Sequence, residues 1–191
     1  MTTRKQKSGT FTTSSGKVLK LKKMNPWLID EVYKAHRLPP VPTYTVTTAT
    51  GATEEHPHDE TTLDTPEAQM EYAEWQKVCA ELTEKQEERL QALLFLRGLD
   101  VDLPKDEDWA EEQEELLGIV VPVKKAQRKL HFIKTEVIEG LDDLLTLMES
   151  IMTYAGVSEV AIEVAKSSFQ RAVEEANPVA GTASEKGQVE L

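Results

Sequence analysis

Cysteine is almost missing from this chain: of 191 residues a single one, Cys79, carries a thiol. A disulfide framework needs pairs and a structural zinc site needs several converging thiolates or imidazoles, so neither organises the fold. Long apolar runs are missing as well. None approaches the roughly 18 to 20 residues that cross a bilayer, and Met1-Thr2-Thr3-Arg4-Lys5 leads into polar sequence instead of a signal core. A membrane partner is therefore not expected, and the expected location is cytoplasmic. Aromatic residues are sparse at 6%, which predicts a lean helical core. No glycine-rich loop that could cradle phosphate is present, and no nucleophile lies near a general base in sequence. The chain reads as a protein that is not an enzyme and needs no cofactor.

Charge of one sign is in excess, but unevenly. The net charge is −12, yet residues 1 to 37 hold nine Lys/Arg against Asp30 and Glu31, while the remainder holds 13 against 32 acidic residues. Lys17, Lys20, Lys22 and Lys23 lie close enough together to suggest a phosphate contact. The acidic bulk opposes it, since its summed field repels a nucleic-acid backbone. Nucleic acid is accordingly not the expected partner.

The dominant pattern is helical. From Pro66 to Arg97, Ala68, Tyr72, Trp75, Val78, Cys79, Leu82, Leu90, Leu93 and Leu96 share one face, interrupted by Gln86, and Glu67, Glu74, Lys77, Glu81, Lys85 and Glu88 take another. Thr65 is placed to cap this helix, Pro66 to open it, and Gly98 to follow its end. On that stripe Cys79 is expected to be a small buried residue. Leu93-Leu94-Phe95-Leu96 points apolar groups around the whole helix, so several neighbours must converge there, and Leu94→Asp is expected to unfold or dissociate the helical part.

Around it, Phe11 to Leu21 predicts a β-hairpin turning at Ser15-Gly16, with Lys17, Leu19 and Leu21 on one side of the pleat and Val18, Lys20 and Lys22 on the other. Asn25 caps a short helix from Pro26 in which Leu28, Ile29, Val32 and Tyr33 recur, and Pro39-Pro40-Val41-Pro42 is an extended spacer. Thr43 to Thr48 predicts a strand, Thr50-Gly51 a turn, and residues 52 to 56 a weak return; this pair is expected to join the first hairpin in one small sheet. Glu54 to Asp64 is an acidic approach to the long helix. Later helices are predicted from Asp106 to Leu117, with Trp109, Gln113 and Leu116 on one side, from Pro122 onward with Ala126, Leu130, Ile133 and Val137 aligned, and from Leu141 to Ala155. Ser158 caps the last, whose buried side would be Ala161, Ala165, Phe169, Ala172, Val173 and Ala176.

The expected fold is thus mainly α (α+β), a helical bundle with one long helix and a small N-terminal β-hairpin or sheet. Residues 1–9 form a basic tail without order, 10–64 a small β-containing region, 65–177 a helical domain and 178–191 a flexible tail. The Leu/Met-rich helix from 141 to 155 either fills the core or lines a groove for an apolar client through Leu144, Leu147, Met148, Ile151 and Met152.

His56-Pro57-His58-Asp59-Glu60 is the one cluster of metal-ligand residue types, but it lacks a third strong ligand and reads as a solvated loop. Asp106-Glu107-Asp108 with Glu111-Glu112 and Glu114-Glu115 lacks the spacing and glycine of a calcium loop and reads as a solvated helix face. His131 reads as a partly exposed helix residue, and Trp27, Trp75 and Trp109 as core or interface anchors.

Several segments taken in order carry a resemblance: Gly16-Lys17-Val18-Leu19-Lys20-Leu21-Lys22-Lys23, Pro26-Trp27-Leu28-Ile29, Pro39-Pro40-Val41-Pro42-Thr43-Tyr44, and His56-Pro57-His58-Asp59-Glu60-Thr61-Thr62-Leu63. Leu93-Leu94-Phe95-Leu96-Arg97-Gly98 and Glu107-Asp108-Trp109 continue it. Over roughly residues 16 to 175 the chain resembles the tail assembly chaperones and related tail-module proteins of tailed bacteriophages. The motifs are compositional and none is catalytic. The resemblance implies a largely helical protein of the host cytoplasm that binds the tape-measure protein, keeps it soluble and helps recruit tail-tube subunits. It also implies absence from the mature virion and, for many members, a longer frameshifted form. A homo-oligomer is a further possibility, and a structural or head-to-tail joining virion protein is the alternative.

Overall fold

The computed structural model describes residues 9–105 and 108–176, with side chains of the last helix described to Ser167. Of the basic tail expected over 1–9, residues 1–8 lie outside these residues, as do the Asp106 cap and the tail expected over 178–191. The protein is mainly α, with small β elements, as its periodicity predicts. In chain order the elements are β1 (Thr10–Thr12), β2 (Val18–Lys20), α1 (Trp27–Ala35), β3 (Thr43–Thr47), β4 (Thr53–Pro57), α2 (Pro66–Gly98), α3 (Asp108–Leu117), α4 (Lys125–Phe132), a π-helical turn (Ile133–Val137), α5 (Leu141–Ala155) and α6 (Glu159–Ala176).

Two short hairpins are built by one local rule. In Thr13-Ser14-Ser15-Gly16-Lys17 and Thr48-Ala49-Thr50-Gly51-Ala52 the threonine carbonyl accepts the glycine N–H at 2.9 Å, and its hydroxyl accepts the N–H four residues on at 3.1 Å. Gly16 and Gly51 take φ of +88° and +80°. That left-handed position closes a three-residue loop whose twist suits antiparallel strands, and a side chain there would be strained. The hairpins pair Phe11 with Leu19 and Tyr44 with His56. They form two separate two-stranded sheets, not the single sheet expected.

The chain divides into two compact units, residues 1–30 with 89–191, and residues 31–88. The division does not follow the expected boundary at 64/65, because contacts over long sequence separation decide it. In the first unit the β1–β2 hairpin is tied to the C-terminal helices, and in the second the β3–β4 hairpin accompanies most of α2.

Every buried apolar side chain among the described residues belongs to the first unit. Its centre is α5: Leu147, Met148, Ile151 and Met152 are fully enclosed, with Leu90, Leu94, Phe95 and Leu99, Ile133 and Val137, and Phe11, Leu19 and Leu21 of the hairpin region. At about 1.5 to 3 kcal/mol per fully buried large side chain before entropy, this cluster organises the unit. Leu19 and Leu21 are inside and Val18 is outside, so the pleat alternates as predicted. Residues 20–22 pair on with 98–100: Lys22 N–H donates to the Gly98 carbonyl at 2.7 Å and Asp100 N–H to that of Lys20 at 2.9 Å. The hairpin turn is held by Asp143, whose carboxylate accepts the Ser14 N–H at 3.0 Å and the Ser14 hydroxyl at 2.8 Å.

Lys22 and Asp100 form an ion pair of 2.6 Å beside that bridge. The hydrogen bond from Lys22, with its charge, holds the Asp100 carboxyl below the usual aspartate value. A depressed folded value stabilises above the unfolded pKa of about 3.9 and ceases to do so as pH falls through the folded one. Lys22→Met is therefore expected to lower thermal stability slightly at pH 7, and the difference from wild type should vanish well below pH ~3.9. Paired melts at neutral and acid pH check this; a gap that persists in acid would assign the loss to packing of the lysine stem.

In the second unit Thr65 caps α2 as predicted, its hydroxyl accepting the Ala68 N–H at 3.1 Å. The apolar stripe is only half-buried at Ala68, Tyr72, Trp75, Cys79 and Leu82, and Val78 is exposed. Partial cover comes from the chain leaving α1. The Trp75 indole donates to the Pro39 carbonyl at 3.2 Å, and Gln86, which breaks the stripe in sequence, donates to the His36 carbonyl at 2.6 Å. A polar residue sits there because a backbone carbonyl must be satisfied. Burial raises the Cys79 thiol above its ordinary pKa, which makes it a weak nucleophile.

Some facial assignments differ from the sequence pattern. In α4 Ala126 is exposed, Leu130 half-buried, and burial begins at Ile133 and Val137, where the π turn widens the helix by a residue. In α6 Ser158 caps through the Ala161 N–H at 3.3 Å, but Ile162 and Ala165 face inward and Ala161 is exposed. Phe169, Ala172, Val173 and Ala176 lie beyond the described side chains.

Candidate protein-binding surface

Four of the five residues that could line a client groove do not reach the surface. Leu147, Met148, Ile151 and Met152 are core and Leu144 is half-buried, because α5 is enclosed by the elements folded back on it. They hold the unit together and form no groove in this conformation.

The exposed apolar surface is instead concentrated between α3 and α4. Leu116 is 72% exposed, Leu117 65%, Val120 83% and Val123 91%, and Ile119 is exposed beside them. Scattered exposed aliphatics are ordinary, but five within eight consecutive residues make an apolar ridge along this segment of the chain.

The local sequence explains why the ridge stands out. Helix α3 ends at Gly118, and the departing chain is held by Glu114, whose carboxylate accepts the Val121 N–H at 3.2 Å. Val121 alone turns into the core, and α4 does not begin until Lys125. Of the three residues expected on one side of α3, Gln113 is buried and Trp109 half-buried, whereas Leu116 faces solvent.

Beneath the ridge α3 is latched by an aromatic and polar cluster. The Trp109 ring meets Phe132 edge-on at 5.0 Å between centroids, and the Arg128 guanidinium lies 5.5 Å from the Trp109 centroid. Gln113, buried despite its polarity, donates from its amide nitrogen to Glu136 Oε1 at 2.5 Å and receives His131 Nε2 on its amide oxygen at 2.6 Å. With the amide nitrogen committed to a carboxylate, His131 must carry its proton on Nε2. These contacts tie α3 to α4 and to the π turn that follows it. His131 is a partly exposed helix residue whose ring is used structurally.

The other candidate chemistry resolves locally. Residues 54–57 are strand, not loop, so His56 and His58 fall on one side of the hairpin, with centroids 5.9 Å and 4.9 Å from the Tyr44 ring. His56 pairs with Glu54 at 3.5 Å, and His58, nearly buried, lies 3.4 Å from the Thr62 hydroxyl. Among the described residues no group of three His, Cys, Asp or Glu side chains converges as a metal site would require. No helix among them is long and apolar enough to cross a membrane.

What fold and surface define is a mainly helical protein with a latched apolar ridge. Comparison with protein-family models, with curated proteins and with solved structures finds no match to this chain.

Proposed function

We propose that the protein is a phage tail assembly chaperone, binding the tape-measure protein through apolar contacts, keeping it soluble in the host cytoplasm and helping to recruit tail-tube subunits. The observation that carries the binding role is the Leu116–Val123 ridge. A chaperone for a long apolar helical client needs exposed apolar side chains on a firm support, and here the latch of Trp109, Gln113 and His131 supplies the support. The acidic excess of the chain suits the role, since like charge keeps loaded complexes apart in solution. The assignment to phage tails rests on the sequence resemblance.

Co-expression with the long coiled-coil tape-measure protein, followed by pull-down, tests this reading. The expected result is a soluble complex with the wild-type chain and a loss of capture of tenfold or more with Val120→Asp. A client that is soluble alone and is not captured would overturn it.

One observation favours the alternative of a structural or head-to-tail joining protein. The β3–β4 hairpin is a two-stranded sheet with exposed strands, and such a sheet is marginal until another strand adds to its edge. Abundant protein in purified particles would favour that reading.

A further inference from the structure

We propose that the face of α2 between Trp75 and Gln86 is a groove for extended proline-rich chain, filled in the free protein by residues 36–42 of the same chain, which act as a displaceable strap. The proposal concerns the second unit alone and does not depend on the ridge or its client.

Three carbonyls of the strap accept hydrogen bonds, and they stand at a fixed interval. The Gln86 amide donates to the His36 carbonyl at 2.6 Å, the Trp75 indole to that of Pro39 at 3.2 Å, and the His58 N–H to that of Pro42 at 2.8 Å. Three residues is the repeat of a polyproline II helix, so the carbonyls of 36, 39 and 42 fall along one edge of it. The sequence holds the chain in that conformation. Pro39, Pro40 and Pro42 each fix φ near about −65°, and the proline that follows keeps Leu38, Pro39 and Val41 out of the helical region. No residue from Arg37 to Pro42 belongs to a helix or strand.

The contact has the character of a docked ligand and not of a core. His36, Pro39, Val41 and Pro42 are half-buried, as are Tyr72, Trp75, Cys79 and Leu82 of α2, and no apolar side chain described in this unit is fully buried. A segment held mainly through its carbonyls, with little buried apolar surface, opens at lower free energy than a packed core. Proline-rich segments at the Pro-x-x-Pro interval of Pro39 and Pro42 dock on aromatic-lined surfaces, and α2 offers Tyr72 and Trp75 with ring centroids 5.2 Å apart. Every residue has a carbonyl, so selectivity comes from the prolines, which hold the spacing before docking and lose little entropy in it. The strap is tethered at one end by α1 and at the other by β3, so its effective concentration is high and a free peptide competes only once the strap is weakened.

Cys79 is the only thiol of the chain and lies on the covered face, so its rate of reaction with a thiol reagent reports the strap, while a thermal melt by circular dichroism reports the core. Trp75→Phe and Gln86→Ala are each expected to raise that rate about fivefold, the weight of one hydrogen bond in an opening equilibrium, with the main melt unchanged. Replacing Pro39, Pro40 and Pro42 together by glycine is expected to raise it at least about tenfold, since the open strap then gains conformational freedom. A peptide of residues 35–43 added to this last variant should restore protection, and the same peptide with glycine at the three proline positions should not. A wild-type rate as fast as in denaturant, or unchanged reactivity in all three variants, would show that the strap does not cover the stripe. Equal protection by the two peptides, or by neither, would overturn the polyproline groove.

Discussion

Leu94→Asp is expected to abolish cooperative folding of the first unit. The side chain is fully enclosed, and the same helical turn carries Phe95, also without solvent contact. A carboxylate placed there loses its hydration and gains no cation, since the residues that fill this core are apolar. Such substitutions exceed about 4 to 5 kcal/mol, a large share of the 5 to 15 kcal/mol by which a domain of this kind is stable. Leu94→Ala, which leaves a cavity without a charge, is expected to cost about 2 to 5 kcal/mol and to keep a sharp transition. Thermal melts followed by circular dichroism distinguish the two. A melt of Leu94→Asp that matches wild type would show that position 94 is not enclosed. Leu93 and Leu96, which flank it, are only half-buried, so aspartate at either is expected to cost far less.

Gly98→Ala should destabilise the protein although helix propensity argues the opposite. Gly98 is the last residue of α2 and has no positive φ, so alanine is conformationally acceptable and would gain up to about 1 kcal/mol in a helix interior. Its role differs from the stop signal read in the sequence. A Cβ at this position would overlap Cγ2 of Ile151, itself fully buried on α5, and neither backbone is free to retreat. The Gly98 carbonyl is also held by the Lys22 N–H, which ties α2 to the extension of β2. Overpacking of this kind costs about 1 to 3 kcal/mol and exceeds the propensity gain. A drop in Tm of several degrees is expected. Ile151→Ala should cost less in the Gly98→Ala background than in wild type, because the two changes share one volume. Additive costs in that double-mutant cycle would show that the two residues do not compete for space.

The binding ridge was partly visible in the sequence. Ile119-Val120-Val121 stands out as an apolar link, and Gly118 and Pro122 mark where helix gives way to extended chain. The pattern could not show that Val121 alone turns inward, because that depends on Glu114 reaching the Val121 N–H across the helix end. Gln113 was the residue least legible in advance: by composition a glutamine amid glutamates belongs in water, and only Glu136 and His131 from distant turns make its burial acceptable. Conversely Leu147, Met148, Ile151 and Met152 were open to two uses, core or groove. Amphipathic spacing identifies an apolar face but not what covers it.

Local chemistry determined the secondary structure of this protein. Threonine-led loops with glycine at the fourth position close both hairpins, Thr65 and Ser158 cap their helices, and helical spacing marks α2 and α5, since these signals act over a few bonds and need no distant partner. Tertiary structure alone decided the rest: that the first hairpin joins Asp143 and, through residues 20–22, the segment 98–100 at the end of α2, that the stripe of α2 is half-covered between Ala68 and Leu82 but enclosed at Leu94, and that Gly98 serves close packing. Those outcomes depend on pairs more than fifty residues apart, or on which surface arrives to cover an apolar face, and a single strand of sequence does not encode that distance in its periodicity.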